Sequence, residues 1–318
     1  MKRLPFTASA PLTCITIDNK TRTLYAGCWD KHIYAVPLAN SSSSTGIQRL
    51  ANGHTDFIKC LLATSLAGRP VLLSGSADAT ITLWDISASP PKILHKLKGH
   101  TKALQNFAID PLSVSTKDFV LFSASSDREI RRWHISLDSS YELPESIDHP
   151  ILAHETSVYS LVFDSDGDLW TASADKTARH LVRERDWAAD TTLSHPDFVR
   201  DIVISEAAGL VATACRDEEV RVWDAGSGDL VGVYSGHYEE VTGLALIDGG
   251  QGIASVGIDG TLRRWSLRRE DIARFAEELK TETEQGSGAE ASAGAEQGAG
   301  MLTAEEEAEL AELMDDEE

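Results

Sequence analysis

The stretch that decides the fold is Leu72-Leu73-Ser74-Gly75-Ser76-Ala77-Asp78-Ala79-Thr80-Ile81-Thr82-Leu83-Trp84-Asp85. It predicts an apolar strand, a tight turn at Asp78-Ala79 and an alternating strand that ends at Trp84, because period-2 patterning on both sides of a turn is typical of a hairpin. The pattern returns along the chain, and successive turn aspartates are 42 to 49 residues apart. These aspartates are Asp30, Asp78, Asp127, Asp175, Asp217 and Asp259.

A second landmark precedes five of these hairpins. It is a His, usually after Gly, followed by a short alternating strand; the five are His54, His100, His154, His195 and His237. Six copies of such a unit at this period resemble the WD-repeat family, whose blades have four strands each. The resemblance covers residues 11–268 and implies an all-β propeller. One blade per turn aspartate predicts six blades, with the seven that are commoner in the family as the alternative.

The resemblance also implies a role for the repeated polar residues. In the family a His, a Ser or Thr, the turn Asp and a Trp form one hydrogen-bonded chain in each blade, so we interpret these residues as structural and not as hydrolase triads or metal ligands. The copy at His154-Thr171-Asp175 has Leu181 in place of Trp, and the first copy, at Asp30, has no His. We expect those two blades to depend more on packing. The four complete sets are His54-Ser74-Asp78-Trp84, His100-Ser123-Asp127-Trp133, His195-Thr213-Asp217-Trp223 and His237-Ser255-Asp259-Trp265.

The segments outside the repeats predict the remaining organisation. We expect a propeller over 1–268, a C-terminal helix over 269–280, a flexible linker over 281–300 and an acidic tail over 301–318. The stretch 139–150 is expected to be a loop, and the tail is expected to contain a short amphipathic helix. That helix has the apolar residues Leu310, Leu313 and Met314, which could bind a partner or belong to a solubilising tail.

Closure of the ring has two predicted solutions. The last copy is followed directly by the helix, so it lacks an outer strand of its own, and residues 3–7 could supply one as a clasp between the chain ends. Alternatively the ring is open and receives a blade from a partner, as in some coat and nuclear-pore propellers.

Composition narrows the functional class. The net charge is −21, although residues 281–318 hold thirteen acidic and no basic residues, so residues 1–280 carry only −8. This balance disfavours direct nucleic-acid binding. Four widely spaced Cys predict no disulfide framework, and neither a signal peptide nor a membrane-spanning run is found, so we expect an intracellular protein of the cytoplasm or nucleus without membrane insertion. We find no motif for catalysis, a metal or a cofactor.

The predicted function is therefore that of a non-enzymatic scaffold, a monomeric propeller within a larger protein assembly. Aligning the repeats places two kinds of position on the top face of the ring, where Arg and aromatic residues are suited to binding an acidic or amphipathic peptide. The protein's own tail is one possible occupant. An alternative is the substrate receptor of a ubiquitin ligase, although the Trp-Asp-x-Arg sequence common in that role has no intact copy here. The predicted binding residues are Trp29, Phe57, Lys59, Tyr159, Phe198, Arg200 and Arg216.

Overall fold

The computed structural model describes residues 8–38 and 47–293, with side chains described up to residue 281. Within these ranges the chain forms six antiparallel sheets, numbered here as blades 1 to 6 in chain order. Blades 1 to 3 consist of β1 (Leu12–Asp18), β2 (Thr23–Cys28), β3 (Ile33–Pro37) and β4 (Gln48–Leu50); β5 (Ile58–Leu66), β6 (Arg69–Ser76), β7 (Thr80–Asp85) and β8 (Lys92–Lys98); and β9 (Leu104–Ile109), β10 (Asp118–Ser125), β11 (Ile130–Ser136) and β12 (Tyr141–Glu142).

Blades 4 to 6 repeat the plan. They consist of β13 (Val158–Phe163), β14 (Leu169–Ser173), β15 (Thr177–Val182) and β16 (Ala188–Ser194); β17 (Val199–Ser205), β18 (Leu210–Cys215), β19 (Val220–Asp224) and β20 (Leu230–Tyr234); and β21 (Val241–Ile247), β22 (Gly252–Gly257) and β23 (Leu262–Ser266). Neighbouring strands of each sheet are consecutive in the chain. The prediction of an all-β propeller with six blades is confirmed. Blade 6 has three strands among the described residues, with β23 at its outer edge.

The stretch predicted as a loop between blades 3 and 4 is partly ordered. It contains β12 and the short helix α1 (Pro144–Asp148). The side chain of Ser146 in α1 is buried and accepts the backbone N–H of Arg132 over 2.8 Å. This helix therefore satisfies a strand-edge donor that the two-residue strand β12 is too short to reach, a tertiary contact that local sequence does not reveal.

The C-terminal helix is longer than predicted. Helix α2 (Arg269–Ala293) begins where expected but continues into the segment predicted as a linker. Ala, Glu and Gln, which favour helices, supply most of residues 281–293 and compensate for two Gly. Residues 3–7, which could form the clasp, and the tail residues Leu310, Leu313 and Met314 lie outside the described residues, so both features stay predictions. None of the helices in the described ranges is long and apolar enough to cross a membrane.

The core lies between neighbouring blades. One cluster joins Leu73 and Ile81 of blade 2 to Leu104, Phe107 and other residues of blade 3. The approach is close at Gly75, where a Cβ atom would lie 2.7 Å from the ring of Phe107. Similar clusters join blades 1 and 2, blades 3 and 4, and blades 4 and 5, so these neighbouring sheets pack face to face through apolar side chains.

Candidate protein-binding surface

Three blades contain the complete hydrogen-bonded chain that the sequence predicts. In blade 2, Nδ1 of His54 lies 3.2 Å from the carboxylate of Asp78, and its Nε2 lies 2.7 Å from the hydroxyl of Ser74. The indole N–H of Trp84 donates to the same hydroxyl over 2.9 Å. The equivalent chains of blades 3 and 6 are formed by His100, Ser123, Asp127 and Trp133, and by His237, Ser255, Asp259 and Trp265.

The turn aspartates of these chains are held in the ionised form. Burial alone would raise the pKa of Asp78, but hydrogen bonds from His54, Thr80 and the backbone N–H of Thr55 lower it well below its usual range. Hydrogen bonds likewise outweigh burial and lower the pKa values of three further turn aspartates, Asp127, Asp175 and Asp259. Because so many donors converge on each carboxylate, the turns are fixed and hold the neighbouring residues in place.

Blade 5 departs from the prediction at its His–Asp contact. Thr213 connects Nε2 of His195 (2.8 Å) with the indole N–H of Trp223 (2.9 Å), as expected. However, Nδ1 of His195 lies 3.1 Å from the carbonyl oxygen of Leu193. The predicted bond from His195 to Asp217 is therefore wrong.

The cause is Arg221, whose guanidinium forms an ion pair with the carboxylate of Asp217. Its two terminal nitrogens donate to the carboxylate over 2.7 and 3.0 Å, and such a two-point pair is stronger than a single bond from a neutral imidazole. Burial, together with the positive charge of Arg221, lowers the pKa of His195 to about 4. His195 is thus neutral at physiological pH.

Blade 4 contains the three polar members that its sequence copy predicts. His154 lies 2.8 Å from Asp175 and 2.7 Å from the hydroxyl of Thr171. Leu181 is buried where the other chains have Trp. The His, Thr and Asp members are therefore connected without an indole, and the greater dependence of this blade on packing stays a prediction.

In blade 1 a different set of donors replaces the missing His. The carboxylate of Asp30 accepts hydrogen bonds from the hydroxyls of Ser9 and Tyr34 and from the backbone N–H of His32. These bonds outweigh burial and lower the pKa of Asp30 well below its usual range. Here too the turn is fixed by hydrogen bonds and not by packing alone.

The innermost strand of every blade carries a bulge near its start. In blade 4, Val158 and Ser160 pair with consecutive residues of β14, and Tyr159 between them has no partner on that strand. A bulge of this kind turns the side chain of the extra residue away from the regular ladder. All six bulged residues line one cavity of about 730 Å³ at the centre of the ring. They are Thr13, Lys59, Gln105, Tyr159, Arg200 and Thr242.

The residue before each turn aspartate lies beside the start of the innermost strand, as the repeat alignment predicts. Its backbone N–H donates to the carbonyl of the residue that precedes that strand. The two kinds of predicted surface position are therefore neighbours in each blade. The donor and acceptor residues are Trp29 and Pro11, Ala77 and Phe57, Ser126 and Ala103, Ala174 and Ser157, Arg216 and Phe198, and Ile258 and Glu240.

Two aromatic side chains stack at the border of blades 1 and 2. The ring centroids of Trp29 and Phe57 are 5.2 Å apart with an interplanar angle of 15°. Trp29 is 48% exposed and Phe57 is 38% exposed, although both are large apolar groups. An exposed aromatic pair next to a polar cavity is typical of a binding surface.

Both predicted arginines lie over aromatic rings. The guanidinium of Arg200 is 4.4 Å from the centroid of Tyr159 and also pairs with Glu240 over 2.5 Å. That of Arg216 is 5.2 Å from the centroid of Phe198. Trp29, Lys59, Tyr159 and Arg200 line the cavity, whereas Phe57, Phe198 and Arg216 adjoin its lining. Four of the seven predicted residues thus line the cavity and Phe57 stacks on one of them, whereas a single binding surface formed by all seven stays a prediction. Arg200 is partly neutralised by Glu240, an acid that the prediction did not include.

Sequence reasoning missed a half-buried carboxylate in the cavity wall, that of Asp201. Asp201 accepts hydrogen bonds from the hydroxyl of Ser160 (2.6 Å) and from the backbone N–H groups of Ile202 (2.9 Å) and Leu244 (2.8 Å), which joins blades 4, 5 and 6. Burial raises its pKa above the usual value. The sequence does contain a signal, because Asp201 is the one acidic residue at this position of the innermost strands. The equivalent residues of the other blades are Cys14, Cys60, Asn106, Ser160 and Gly243.

Within the described part of the chain, two groups of side chains lie close enough together to hold a metal ion, but both form hydrogen bonds or ion pairs within the protein. In one, His100 and Asp127 belong to the polar chain of blade 3. In the other, Nε2 of His180 lies 3.1 Å from Asp164 and its Nδ1 lies 2.8 Å from Asp190. Their internal pairs account for both arrangements.

Fold and surface together define the class of the protein as a six-bladed β-propeller with a polar central cavity. The family model described as WD domain, G-beta repeat matches residues 47–85, 147–180, 189–224 and 228–266. A WD repeat-containing protein of Schizosaccharomyces pombe is 36% identical over 315 residues, which cover 97% of this chain and 77% of that protein. The chain belongs to the WD-repeat family.

More distant relatives share only the repeat region. Pre-mRNA-processing factor 19 of Bos taurus is 28% identical over 199 residues, covering 61% of this chain and 36% of that protein. Nuclear distribution protein PAC1-2 of Uncinocarpus reesii is 29% identical over 217 residues, covering 68% of this chain and 39% of that protein. The chain thus spans well under half the length of these two relatives.

Proposed function

We propose that this propeller is a non-enzymatic scaffold subunit that binds an acidic or amphipathic peptide of a partner protein across its central cavity. The observation that supports this most directly is the ring of bulged residues, in which Lys59, Tyr159 and Arg200 surround one cavity beside the Trp29–Phe57 stack. A bulge in every innermost strand directs side chains of varied chemistry to one opening, which suits recognition of an extended ligand.

The charges of this surface favour an acidic ligand. Lys59, Arg200 and Arg216 are cationic, and Arg200 is held over Tyr159 by a cation–π contact. In the unbound protein Arg200 forms an ion pair with Glu240, so a carboxylate of the ligand would have to replace Glu240 in this pair. The stacked Trp29 and Phe57 would contact an apolar side chain of the same peptide.

The relatives support a scaffold function for this protein, but they do not identify the cellular process in which it acts. One is named for pre-mRNA processing and another for nuclear distribution, and each shares only part of its length with this chain. We propose that this protein works within a multi-protein assembly in the cytoplasm or nucleus, through contacts with protein and not with nucleic acid. Fold similarity does not choose the assembly.

Affinity purification from the native cell, read by mass spectrometry, tests the location of the site. We expect Phe57→Ala/Arg200→Ala/Arg216→Ala to lose one defined set of partners that the wild-type protein retains, because each substitution removes an aromatic or cationic contact group. The matched control is Tyr141→Ala, which removes a half-exposed aromatic of strand β12 that is distant in sequence from the cavity residues.

A chain truncated after Lys280 separates the cavity from the tail. Retention of every partner by the triple variant, with their loss on truncation, would place binding in the tail and contradict the proposal. The truncated chain also tests occupation of the cavity by the protein's own tail, which predicts tighter partner binding once residues 281–318 are removed. Equal affinity with and without those residues would exclude such self-inhibition.

A further inference from the structure

Blade 3 has a charged residue at a strand position that is apolar in three other blades. Arg132 of β11 pairs with Phe122 of β10. Residues in the same register of blades 1, 2 and 5 are at most 6% exposed, and they are Ala35, Leu83 and Val222. Leu83 belongs to the cluster between blades 2 and 3, so this position faces the following blade. The side chain of Arg132 is therefore directed to the junction of blades 3 and 4.

The guanidinium of Arg132 lacks a partner within the described part of the chain. Its Nε atom is buried and forms no hydrogen bond, and no ion pair holds its terminal nitrogens. The two other blades with a polar residue at this position satisfy it. His180 of blade 4 lies 2.8 Å from Asp190, and Arg264 of blade 6 pairs with Asp248 over 2.8 Å. A half-buried cation without an acceptor has lost contacts with water that nothing replaces, which destabilises the folded protein.

A groove of about 460 Å³ adjoins this guanidinium. Its lining includes Ile151 and Trp187, which are 8% and 7% exposed. Ile151 is held by two backbone hydrogen bonds with Ile130, and the ring of Trp187 lies 5.1 Å from that of Phe122. Trp187 also has a φ of 63°, a conformation that a bulky residue keeps only where its surroundings fix it. The groove thus has a fixed apolar floor beside an unpaired cation.

Acids at the rim restrict the charge of an occupant. Glu145 and Asp186 line the groove and are exposed, so they would repel a ligand with several carboxylates. The other arginine of the lining, Arg179, already donates to the carbonyl oxygen of Ala153 over 2.6 Å. One arginine is therefore available for one carboxylate. Residues 301–318 of this chain, with their runs of acidic residues, do not match that requirement.

We propose that the groove between blades 3 and 4 binds a segment of a partner protein in which one acidic residue is flanked by apolar residues. The carboxylate pairs with Arg132, and the apolar side chains cover Ile151 and Trp187. Ala188 and Ala189 of the lining are exposed, so the groove is open to solvent, which suits an extended peptide better than an enclosed small molecule. The groove shares no lining residue with the central cavity, so this inference does not depend on the proposed peptide binding there.

The thermal unfolding midpoint of the purified full-length chain tests whether Arg132 has a structural role. We expect Arg132→Leu, which introduces the residue type of blade 2, to leave the midpoint at or above that of wild type, because it removes an unpaired charge from a half-buried site. The matched variant Arg179→Leu breaks the bond to Ala153 and should lower the midpoint by roughly 2 °C or more. An equal or larger loss in Arg132→Leu would show that Arg132 stabilises the fold and would overturn the inference.

Selection from a random-peptide library on the purified full-length chain tests the ligand. We expect enriched sequences to share one Asp or Glu beside Leu, Ile, Val or Phe. A synthetic peptide of such a sequence should bind Arg132→Leu roughly thirtyfold more weakly than wild type, measured by fluorescence anisotropy, because one partner of a partly buried charge pair is lost. Replacement of the acid in the peptide by its amide should weaken binding to the wild-type protein to the same degree.

Two further variants locate the bound peptide. Arg69→Leu changes an exposed arginine of strand β6 and should leave the affinity unchanged. The affinity should also persist in the Phe57→Ala/Arg200→Ala/Arg216→Ala variant, so failure of the proposal for the central cavity is distinguishable from failure of this one. A selection in which every enriched peptide binds Arg132→Leu as tightly as wild type would overturn the inference.

Discussion

At the scale of single residues, burial and the neighbouring Arg221 together determine the protonation of His195. Burial and the adjacent guanidinium lower the pKa of this imidazole to about 4, from an ordinary value of 6.5. The folded state therefore binds fewer protons than the unfolded chain between pH 6.5 and pH 4. The resulting stability is present above pH 6.5 and is lost as the pH falls toward 4, by up to about 3 kcal/mol.

We expect Arg221→Leu to raise the pKa of His195, because it removes the cation and releases Asp217 to pair with the ring. An NMR titration of the His195 ring protons measures this. Arg179→Leu, which removes the corresponding Arg of blade 4, should leave the His195 titration unchanged. An unaltered titration in Arg221→Leu would show that burial alone sets the low pKa.

The residues of the polar chains could be predicted from spacing, but not all of their bonds could. His, Ser or Thr, Asp and Trp recur at fixed distances from each turn, so the sequence places them correctly in blades 2, 3 and 6. Spacing does not reveal that Arg221 competes with His195 for the carboxylate of Asp217. Arg221 and Asp217 are four residues apart on the two sides of a tight turn, and their pairing emerges only when that turn brings them together.

At the scale of the blade, we expect the indole to determine how much each polar chain contributes to stability. Ser123 is fully buried, and its hydroxyl has two side-chain partners, Nε2 of His100 and the indole N–H of Trp133, each at 2.7 Å. Ser123→Ala leaves Nε2 of His100 and the indole N–H of Trp133 without this acceptor, and we expect it to cost about 2–4 kcal/mol of unfolding free energy.

Thr171→Val in blade 4 is the matched comparison. The hydroxyl of Thr171 has His154 as its side-chain partner, and the residue at the indole position is Leu181. We expect a smaller loss, about 1–2 kcal/mol, measured by urea denaturation of both variants. A loss in Thr171→Val as large as in Ser123→Ala would mean that the indole contributes little.

Strands were easier to predict than the elements between them. Alternation and turn residues identify the three inner strands of every blade, because these signals are local. Helix α1 and strand β12 lie in a stretch with two Pro and no periodicity, and the contact of Ser146 with Arg132 is a tertiary one. The bulges that direct Lys59, Tyr159 and Arg200 to the cavity were implied by the alignment of repeats but were not visible as such.

At the scale of the whole molecule, the number of blades follows from counting repeats, whereas ring closure does not. Leu12, Val256 and Leu262 resemble ordinary core residues in the sequence, and only comparison with their buried equivalents shows that they are exposed. The same repetition gives the molecule a collective response to acid. Asp78, Asp127 and Asp175 occupy equivalent turns, and hydrogen bonds lower the pKa of each.

We expect protonation of these aspartates to lower the stability of the propeller further at pH values below about 4, where the titration of His195 ends. A carboxylate with a lowered folded pKa contributes stability that is fully present above its unfolded pKa, near 4, and is lost as the pH falls toward the folded value. We therefore expect urea midpoints to drop steeply below about pH 4. Asp78→Asn should lower the midpoint at pH 7 and flatten this drop, whereas Glu239→Gln, at an exposed position next to Tyr238, should change neither. A drop of equal steepness in Asp78→Asn would assign acid unfolding to the general charge of the chain instead of to the turn carboxylates.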